Sequence, residues 1–310
     1  MTELQIDRVG PRPATAAPGP SLLRPLLRQP ETAADLTRRG TVFDDPAREA
    51  RLTEIGRRFV RSYNLMLGPD PLGALDRALG AADADWHGFM VEGAAMGAGL
   101  RDATSLRGGL LAALRARHGP RFDYMIHVGA GWAMARAPWR GGVILRALDP
   151  LLTPLMADGR GFHDVYFDPS AAAEAKTPRG SDAGVGRALW FVSGARMPRT
   201  LALLRGHAPD RLPELIAGLG LALGYAGPAT EADWSALLIA HPDCAPALAQ
   251  GLCFAAEARR LSDGITDNLE RGCAHVLGLD AAGAARIARD ARPARIRTEA
   301  APLIRRRAAS

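Results

Sequence analysis

The feature that most restricts the fold is a set of apolar stretches crowded with glycine and alanine, of which residues 93–99 and 129–131 are the clearest. Inside a helix, each glycine costs about 1 kcal/mol relative to alanine. Close approach of two helix backbones offsets that cost, and space for a flat or elongated ligand would also account for the small side chains. Close packing is the simpler interpretation, so these stretches predict tightly packed helices.

Helical spacing of apolar residues recurs along the chain, whereas the alternating, β-branched pattern of strands is scarce. Pro46 follows Asp44 and Asp45, which are good N-cap residues, so a helix is predicted to begin there. Further helices are predicted at 106–117, 149–158, 184–194, 197–206, 210–225, 231–240, 244–260, 265–277 and 281–290. The pattern therefore predicts an all-α protein, a single multi-helix globular domain with flexible termini, in which residues 164–182 form a long loop.

Composition sets the limits of the predicted domain. Residues 1–34 are rich in proline and alanine and should be flexible or draped over the body, residues 35–291 form the helical domain, and residues 292–310 form an arginine-rich tail. No stretch is apolar enough for a signal peptide or a membrane span, and the three cysteines form no CxxC pair. We therefore expect a soluble protein of the reducing cytoplasm.

The net charge of +6 does not by itself indicate nucleic-acid binding. Nearly all of the positive charge is arginine, since Lys176 is the only lysine, and the arginines alternate with acids through the body of the chain. They concentrate mainly in the tail, where no aromatic side chains interleave to stack on bases. We expect neither nucleic acid nor a membrane span among the partners.

Two histidines are the first candidates for acid–base chemistry. His127 lies on an apolar helix with Tyr124 one turn away, so imidazole and phenol could share one pocket. The alternative is a core histidine that bonds a backbone carbonyl. His163 lies in the polar stretch 158–164, at the predicted end of a helix, where a cap with an ion pair and a catalytic loop are equally compatible with the sequence. Either histidine could be a general base, a proton shuttle or a haem ligand.

Glu92 is the third candidate, because apolar residues surround it. It lies either on a narrow wet face or buried with a partner, for which Arg136 and Arg187 are the options. Burial would raise its pKa and suit it for proton transfer. Asp158 completes the set of acid–base candidates, and Arg160, Arg187 and Tyr124 are assigned to orient a substrate.

Signatures of common cofactors are missing from the sequence. There is no HExxH pattern and no clustered Cys/His spacing, and the glycine patterns of dinucleotide and phosphate loops do not occur between a strand and a helix. The sequence therefore predicts no metal-ligand set and no zinc, nicotinamide or ATP site. Haem bound through His127 or His163 stays open as an alternative.

Seven ordered phrases of the sequence, taken together, resemble one protein family. They are Gly88–Phe89 with Glu92–Gly93 and Met96–Gly97; His127–Trp132 with Arg136; Leu148–Leu152; Asp158–Gly159 with Gly161–His163 and Tyr166–Phe167; Gly186–Arg187 with Leu189–Phe191; Gly218–Leu221 with Tyr225–Gly227; and Ala249–Gly251 with Phe254–Ala256 and Ala258–Arg259. This set covers residues 35–290 and resembles the UnbL-type family of unknown function that accompanies enediyne polyketide synthases. Thr41 departs from the pattern, where phenylalanine is expected, and another polyene or natural-product route is also compatible.

The resemblance implies a part in converting a linear polyene from an iterative synthase into an enediyne core, and it brings no established catalytic residue. A polyene is long, flat and apolar, so we expect an aliphatic tunnel with a few polar groups, which Trp132, Trp190 and Phe191 would line. Three functions remain open: tailoring of the polyene by proton transfer, isomerisation or oxidation; non-catalytic carriage of the polyene; and haem- or metal-dependent oxidation. The expected partners are a hydrophobic polyene or acyl intermediate and other proteins of the pathway.

Overall fold

The computed structural model describes residues 24–105, 108–173, 178, 180–262 and 264–291, and the regular structure in these ranges is entirely helical. The α-helices are α1 (Arg24–Leu27), α2 (Pro46–Met66), α3 (Pro71–Gly80), α4 (Ala84–Ala103), α5 (Leu110–Arg136), α6 (Gly141–Leu145), α7 (Pro154–Phe167), α8 (Ser170–Ala173), α9 (Asp182–Val192), α10 (Met197–Leu204), α11 (Leu212–Tyr225), α12 (Glu231–Ala240), α13 (Ala245–Leu261), α14 (Asp267–Leu277) and α15 (Ala281–Asp290). The predicted all-α, single-domain fold is confirmed.

Helix α2 begins where the sequence predicts it. The Asp45 carboxylate accepts a hydrogen bond from the backbone N–H of Ala47 at 2.7 Å, and Pro46 occupies the first helical position. An aspartate cap of this kind satisfies N–H groups that have no partner inside the helix. Along the apolar stripe that follows, Leu52 is buried, whereas Phe59 lines a cavity.

Helix α5 differs from the predicted helix at 106–117, of which residues 106 and 107 lie outside the described residues. The helix does not end at residue 117 but continues to Arg136. Pro120 lies inside it, and Phe122 has non-helical dihedral angles (φ −132°, ψ 19°), so the helix is kinked here. A proline inside a helix removes a hydrogen bond and bends the axis without ending the helix when tertiary packing supports both halves.

Helix α7 corrects the predicted end of a helix at residue 158 and the predicted start of a long loop at residue 164. It runs to Phe167, so the polar stretch 158–164 lies within a helix, and part of the predicted loop 164–182 is helical as well. Its glycines serve packing and not a turn. A Cβ added at Gly159 or Gly161 would come within 3.0 Å of the carbonyl oxygen of Val128 or Ser181, respectively.

Glycine also explains how the long helices follow one another in space. Helices α2, α4, α5, α7, α9, α11 and α13 pack in this order, and at each step a glycine faces a backbone carbonyl so closely that an added Cβ would lie within 3.0 Å of its oxygen. The contacts are Gly93 with Phe59, Gly129 with Glu92, Gly131 with Met156, Gly159 with Val128, Gly184 with Asp158, Gly186 with Leu215, Gly218 with Ala183, and Gly251 with Ala217. The close-packing interpretation of the glycine-rich stretches is confirmed.

The last helices of this series return to the first ones. Arg259 of α13 donates to the carbonyl of Asp85 at 2.7 Å and pairs with the Asp85 carboxylate at the start of α4. Arg259 also donates to the carbonyl of Tyr225 at the end of α11. The ring of Tyr225 lies edge-on to Phe89 of α4, with 5.1 Å between the ring centroids. The helices therefore enclose a central space.

Residues 24–34, which belong to the predicted flexible N-terminal segment, lie against this body. The Tyr63 hydroxyl donates to the carbonyl of Leu27 at 2.7 Å, and the Tyr166 hydroxyl donates to the carbonyl of Ala34 at 3.2 Å. The rest of that segment and the predicted tail from residue 292 lie outside the described residues. None of the helices in the described ranges is long and apolar enough to cross a membrane.

Candidate functional site

The central space contains a cavity of about 90 Å³ with mainly aromatic walls. Helices α2, α4, α5, α7, α9 and α11 each contribute to it, and we refer to it as the aromatic cavity. The aromatic residues that line it are Phe59, Tyr63, Phe89, Trp132, Phe162, Tyr166, Phe167, Phe191 and Tyr225.

The aromatic walls are arranged around Trp132. Its ring centroid lies 4.8 Å from that of Phe59 and 5.1 Å from that of Phe162, and Phe162 in turn lies 5.1 Å from Phe191. Aromatic faces present flat apolar surfaces with a partial negative charge. Such walls match a flat, unsaturated chain better than a branched, aliphatic one.

Glu92 is one of the few polar groups in the aromatic cavity. Its carboxylate accepts a hydrogen bond from Nε1 of Trp132 at 3.1 Å. Burial raises the pKa of Glu92 above its ordinary value, the charge of Arg187 and the Trp132 bond oppose the rise, and the charge of Asp158 adds to it. Glu92 therefore keeps its proton at a higher pH than a glutamate in water does, as the sequence analysis expected of a buried Glu92.

Arg187 of α9 forms the other charged part of the wall. Only 7% of the residue is exposed, and its guanidinium carbon lies 5.1 Å from the centre of the Phe162 ring. Within the described part of the chain, its Nε and Nη2 atoms have no hydrogen-bond partner. Since a buried, charged donor without a partner is strongly unfavourable, this group calls for a ligand or water to complete its bonds.

A second cavity, of about 200 Å³, lies on the other side of Arg187. Arg187 and Leu221 line both cavities, so these two side chains form the partition between them. The walls of the second cavity are also mostly apolar, and its polar groups include Asp158, Tyr124 and Glu257. The two cavities lie side by side within the core, with one cation between them.

Tyr225 adds a hydroxyl group to the aromatic cavity. This hydroxyl is buried and has no hydrogen-bond partner in the described residues. It occupies the space beside Gly88, where an added Cβ would collide with it. Burial raises the pKa of Tyr225, and the nearby charge of Arg259 opposes that rise. The hydroxyl is thus a neutral donor that a ligand in the cavity could use.

Nearly the whole sequence matches a known protein family. Residues 20–307 match a family described as "Protein of unknown function (DUF1702)". The chain belongs to this family. No curated protein and no solved structure matches this DUF1702 member significantly. Its function therefore has to be argued from the geometry of its own residues.

His127 of this DUF1702 protein has partners for both ring nitrogens. Nδ1 lies 2.7 Å from the carbonyl oxygen of Asp123, and Nε2 accepts a hydrogen bond from the backbone N–H of Asp149 at 3.0 Å. The ring is fully buried and lines neither cavity. These bonds favour the core-histidine alternative, and they leave no nitrogen for a haem iron or for proton transfer.

His163 lies near the aromatic cavity but not in its wall. Its Nδ1 lies 3.1 Å from a carboxylate oxygen of Asp164, and its ring is edge-on to Trp132 with centroids 5.7 Å apart. Nε2 is buried and unpartnered among the described residues. Burial lowers the pKa of His163, and Asp164 opposes that effect. Arg160, on the same helix, is exposed and lies 3.7 Å from Asp164, away from both cavities.

The other predicted site residues divide between the cavities and the core. Trp132, Phe191, Arg187 and Glu92 meet at the aromatic cavity, and Asp158 and Tyr124 line the second one. Trp190, in contrast, is fully buried, and its Nε1 donates to the carbonyl of Gly227 at 3.0 Å. It supports the core and lines neither cavity.

Glu257 and Tyr225 are among the polar residues of the cavities that were not selected from the sequence. Glu257 lies in an apolar stretch of α13, much as Glu92 does in α4, and that pattern could have marked it. It pairs with Arg260 at 2.8 Å. Tyr225 belongs to one of the seven family phrases, but it ends an ordinary apolar helix and nothing beside it marks it as a site residue. Among the described residues, no three His, Cys, Asp or Glu side chains cluster in a way that could hold a metal ion.

Proposed function

We propose that the protein binds a conjugated and mainly apolar chain, a segment of which lies in the aromatic cavity, and moves protons along it. The observation that carries the proposal is a buried carboxyl, Glu92, set in an aromatic wall that also contains a single buried cation, Arg187. The resemblance to the UnbL-type family suggests the source of the chain, an enediyne-type iterative polyketide synthase or a related polyene pathway.

The walls of the cavity support a flat and apolar ligand. Small-molecule sites are mostly apolar with a few placed polar groups, and this cavity follows that rule. The rings of Trp132, Phe162 and Phe191 would pack against the double bonds of a polyene. Glu92 would then lie beside the chain, shielded from water.

Glu92 is suited to shift double bonds within such a chain. Its protonated carboxyl donates the proton to one carbon of the conjugated system, and the carboxylate that results removes a proton from another carbon. The double bonds move, the carboxyl is restored, and no atoms or electrons are gained or lost. A raised pKa favours the protonated starting state, and exclusion of water prevents exchange of the proton with solvent.

The test is a time course of absorption after the purified protein is mixed with the linear polyene of a partner synthase. We expect the polyene bands to change in proportion to time and protein concentration. Glu92→Gln should reduce the rate at least about 100-fold, because the amide keeps the Trp132 bond and cannot give up a proton. Glu257→Gln, the same change in the second cavity, serves as the control and should retain most of the rate.

The result would distinguish catalysis from carriage. A single shift of the bands that is stoichiometric with the protein and then stays constant would mean that the protein only carries the polyene. Unchanged rates in Glu92→Gln would remove Glu92 from the mechanism. No spectral change with any linear polyene would contradict the proposed function as a whole.

A further inference from the structure

Arg187 presents one particular edge of its guanidinium without partners. Nε and Nη2 lie on the same side of the planar group, so their N–H bonds point in parallel. Both atoms are buried, and neither has a hydrogen-bond partner in the described residues. This edge therefore offers two parallel donors within an apolar surrounding.

The same edge binds carboxylates elsewhere in this chain. Nε and Nη2 of Arg61 donate to the two oxygens of Glu31, both at 2.8 Å. Nε and Nη2 of Arg260 donate to the two oxygens of Glu257 at 2.8 and 2.9 Å. A planar group with two oxygens is what this edge recognises. At Arg187 the same edge has no carboxylate partner among the residues that the structure describes.

We infer that the ligand is a free, unsaturated carboxylic acid whose carboxylate binds the Nε–Nη2 edge of Arg187 while its conjugated chain lies in the aromatic cavity. This inference rests on the proposed function and narrows its substrate class. A pure hydrocarbon would leave the guanidinium unpaired, and a chain still held as a thioester has no carboxylate to offer.

The neighbouring charges favour the aromatic cavity as the place of the chain. Asp158 lines the second cavity, where its charge would repel a ligand carboxylate. In the aromatic cavity the neighbouring acid is Glu92, whose pKa is raised by burial. Its negative charge is therefore weaker at a given pH than that of an ordinary glutamate, and the Tyr225 hydroxyl offers a donor. The head group would thus meet less repulsion and one further donor on this side of Arg187.

The inferred ligand places the protein after one class of reaction. A chain that grows on a carrier protein is a thioester, and attack of water on its carbonyl carbon breaks the C–S bond to give the acid and the free thiol. Hydrolysis of the thioester must therefore precede binding. The inference predicts that a released acid, and not the carrier-bound chain, is the species that enters the cavity.

The experiment compares cis-parinaric acid, a conjugated tetraene fatty acid that fluoresces in apolar surroundings, with its methyl ester. The ester keeps the chain and the carbonyl and lacks the charge. We expect the full-length protein to bind the acid about 10- to 100-fold more tightly than the ester, the range for hydrogen bonds to a charged group. In Arg187→Met, which has similar length and no charge, the ratio should fall to about 1 to 3. Arg187→Lys should give an intermediate ratio.

Arg136→Met is the matched control, because Arg136 is the other arginine that lines the aromatic cavity and it is exposed. Acid preference that persists in this variant supports the inference even if no Arg187 variant folds. Loss of the preference in Arg136→Met overturns it and moves the head group to the exposed edge of the cavity. Equal affinity of wild type for acid and ester overturns the inference and leaves the proposed function intact, whereas no binding of either compound contradicts both.

Discussion

Gly184 offers the sharpest test of how the helices that form the cavities are packed. It lies on α9 where the helix crosses α7, and an added Cβ would come within 3.0 Å of the carbonyl oxygen of Asp158, a separation that real Cβ atoms essentially never show. Backbone atoms stand on both sides of this contact, so no side chain can rotate away. In Gly184→Ala the two helices must therefore move apart.

Two opposing effects set the magnitude of this change. Alanine is favoured over glycine in a helix by about 1 kcal/mol, whereas overpacking a close contact costs about 1 to 3 kcal/mol and sometimes more. Because the clash at Gly184 is with backbone, we take the upper end of the overpacking cost, about 3 kcal/mol. After the gain in helix propensity is subtracted, the free energy of unfolding should fall by about 2 kcal/mol. For a domain of this size, that corresponds to a fall in Tm of about 3 to 4 °C.

The assay is thermal and urea unfolding followed by circular dichroism at 222 nm. Gly80→Ala is the control, because Gly80 is exposed at the end of α3 and an added Cβ meets nothing within 4 Å. We expect that variant to be as stable as wild type or more stable, by up to about 1 kcal/mol. If Gly184→Ala were equally stable, helix propensity would outweigh packing, and the account of the glycines as close contacts would be refuted.

Three further predictions concern polar groups. Glu92→Gln should gain stability relative to wild type as the pH rises above the ordinary glutamate pKa of 4.5. Burial raises the pKa of Glu92, so the folded protein keeps a proton that the unfolded chain releases, and wild type loses stability until the pH passes the folded pKa. Parallel pH profiles in urea unfolding would contradict this. His127→Ala should lower the free energy of unfolding by about 2 to 4 kcal/mol in the same assay, because two hydrogen bonds to the backbone and a buried ring are lost. A variant of full stability that has lost turnover would instead restore a catalytic role for His127. Tyr225→Phe should leave Tm unchanged or slightly raised, since it removes a buried hydroxyl that has no partner, and should weaken parinaric acid binding measured by fluorescence titration; unchanged affinity would show that the hydroxyl does not reach the ligand.

Local signals account for the parts of the fold that the sequence predicts well. Asp45 and Pro46 mark the start of α2, and α12 and α15 have the bounds that helical spacing and breakers indicate. Caps, prolines and periodicity act within a few residues, so one sequence contains them. The class of the fold follows from the same local patterns.

Contacts between distant residues explain what the sequence did not predict. Gly159 and Gly161 suggest a turn when read locally, but they let α7 pack closely on its neighbours. The sequence leaves His127 open between a core histidine and a catalytic one, and only the N–H of Asp149, 22 residues further on, shows that its Nε2 has a backbone partner. The unpaired edge of Arg187 is likewise a property of three-dimensional packing, since no sequence pattern shows that a donor lacks a partner.

The most direct test of the account is a crystal structure of the protein with cis-parinaric acid bound. We expect electron density for the tetraene between Trp132 and Phe191 and both carboxylate oxygens within hydrogen-bond distance of Nε and Nη2 of Arg187. Density for the chain in the second cavity, or a carboxylate beside Arg136 with the Arg187 edge still unpaired, would contradict it.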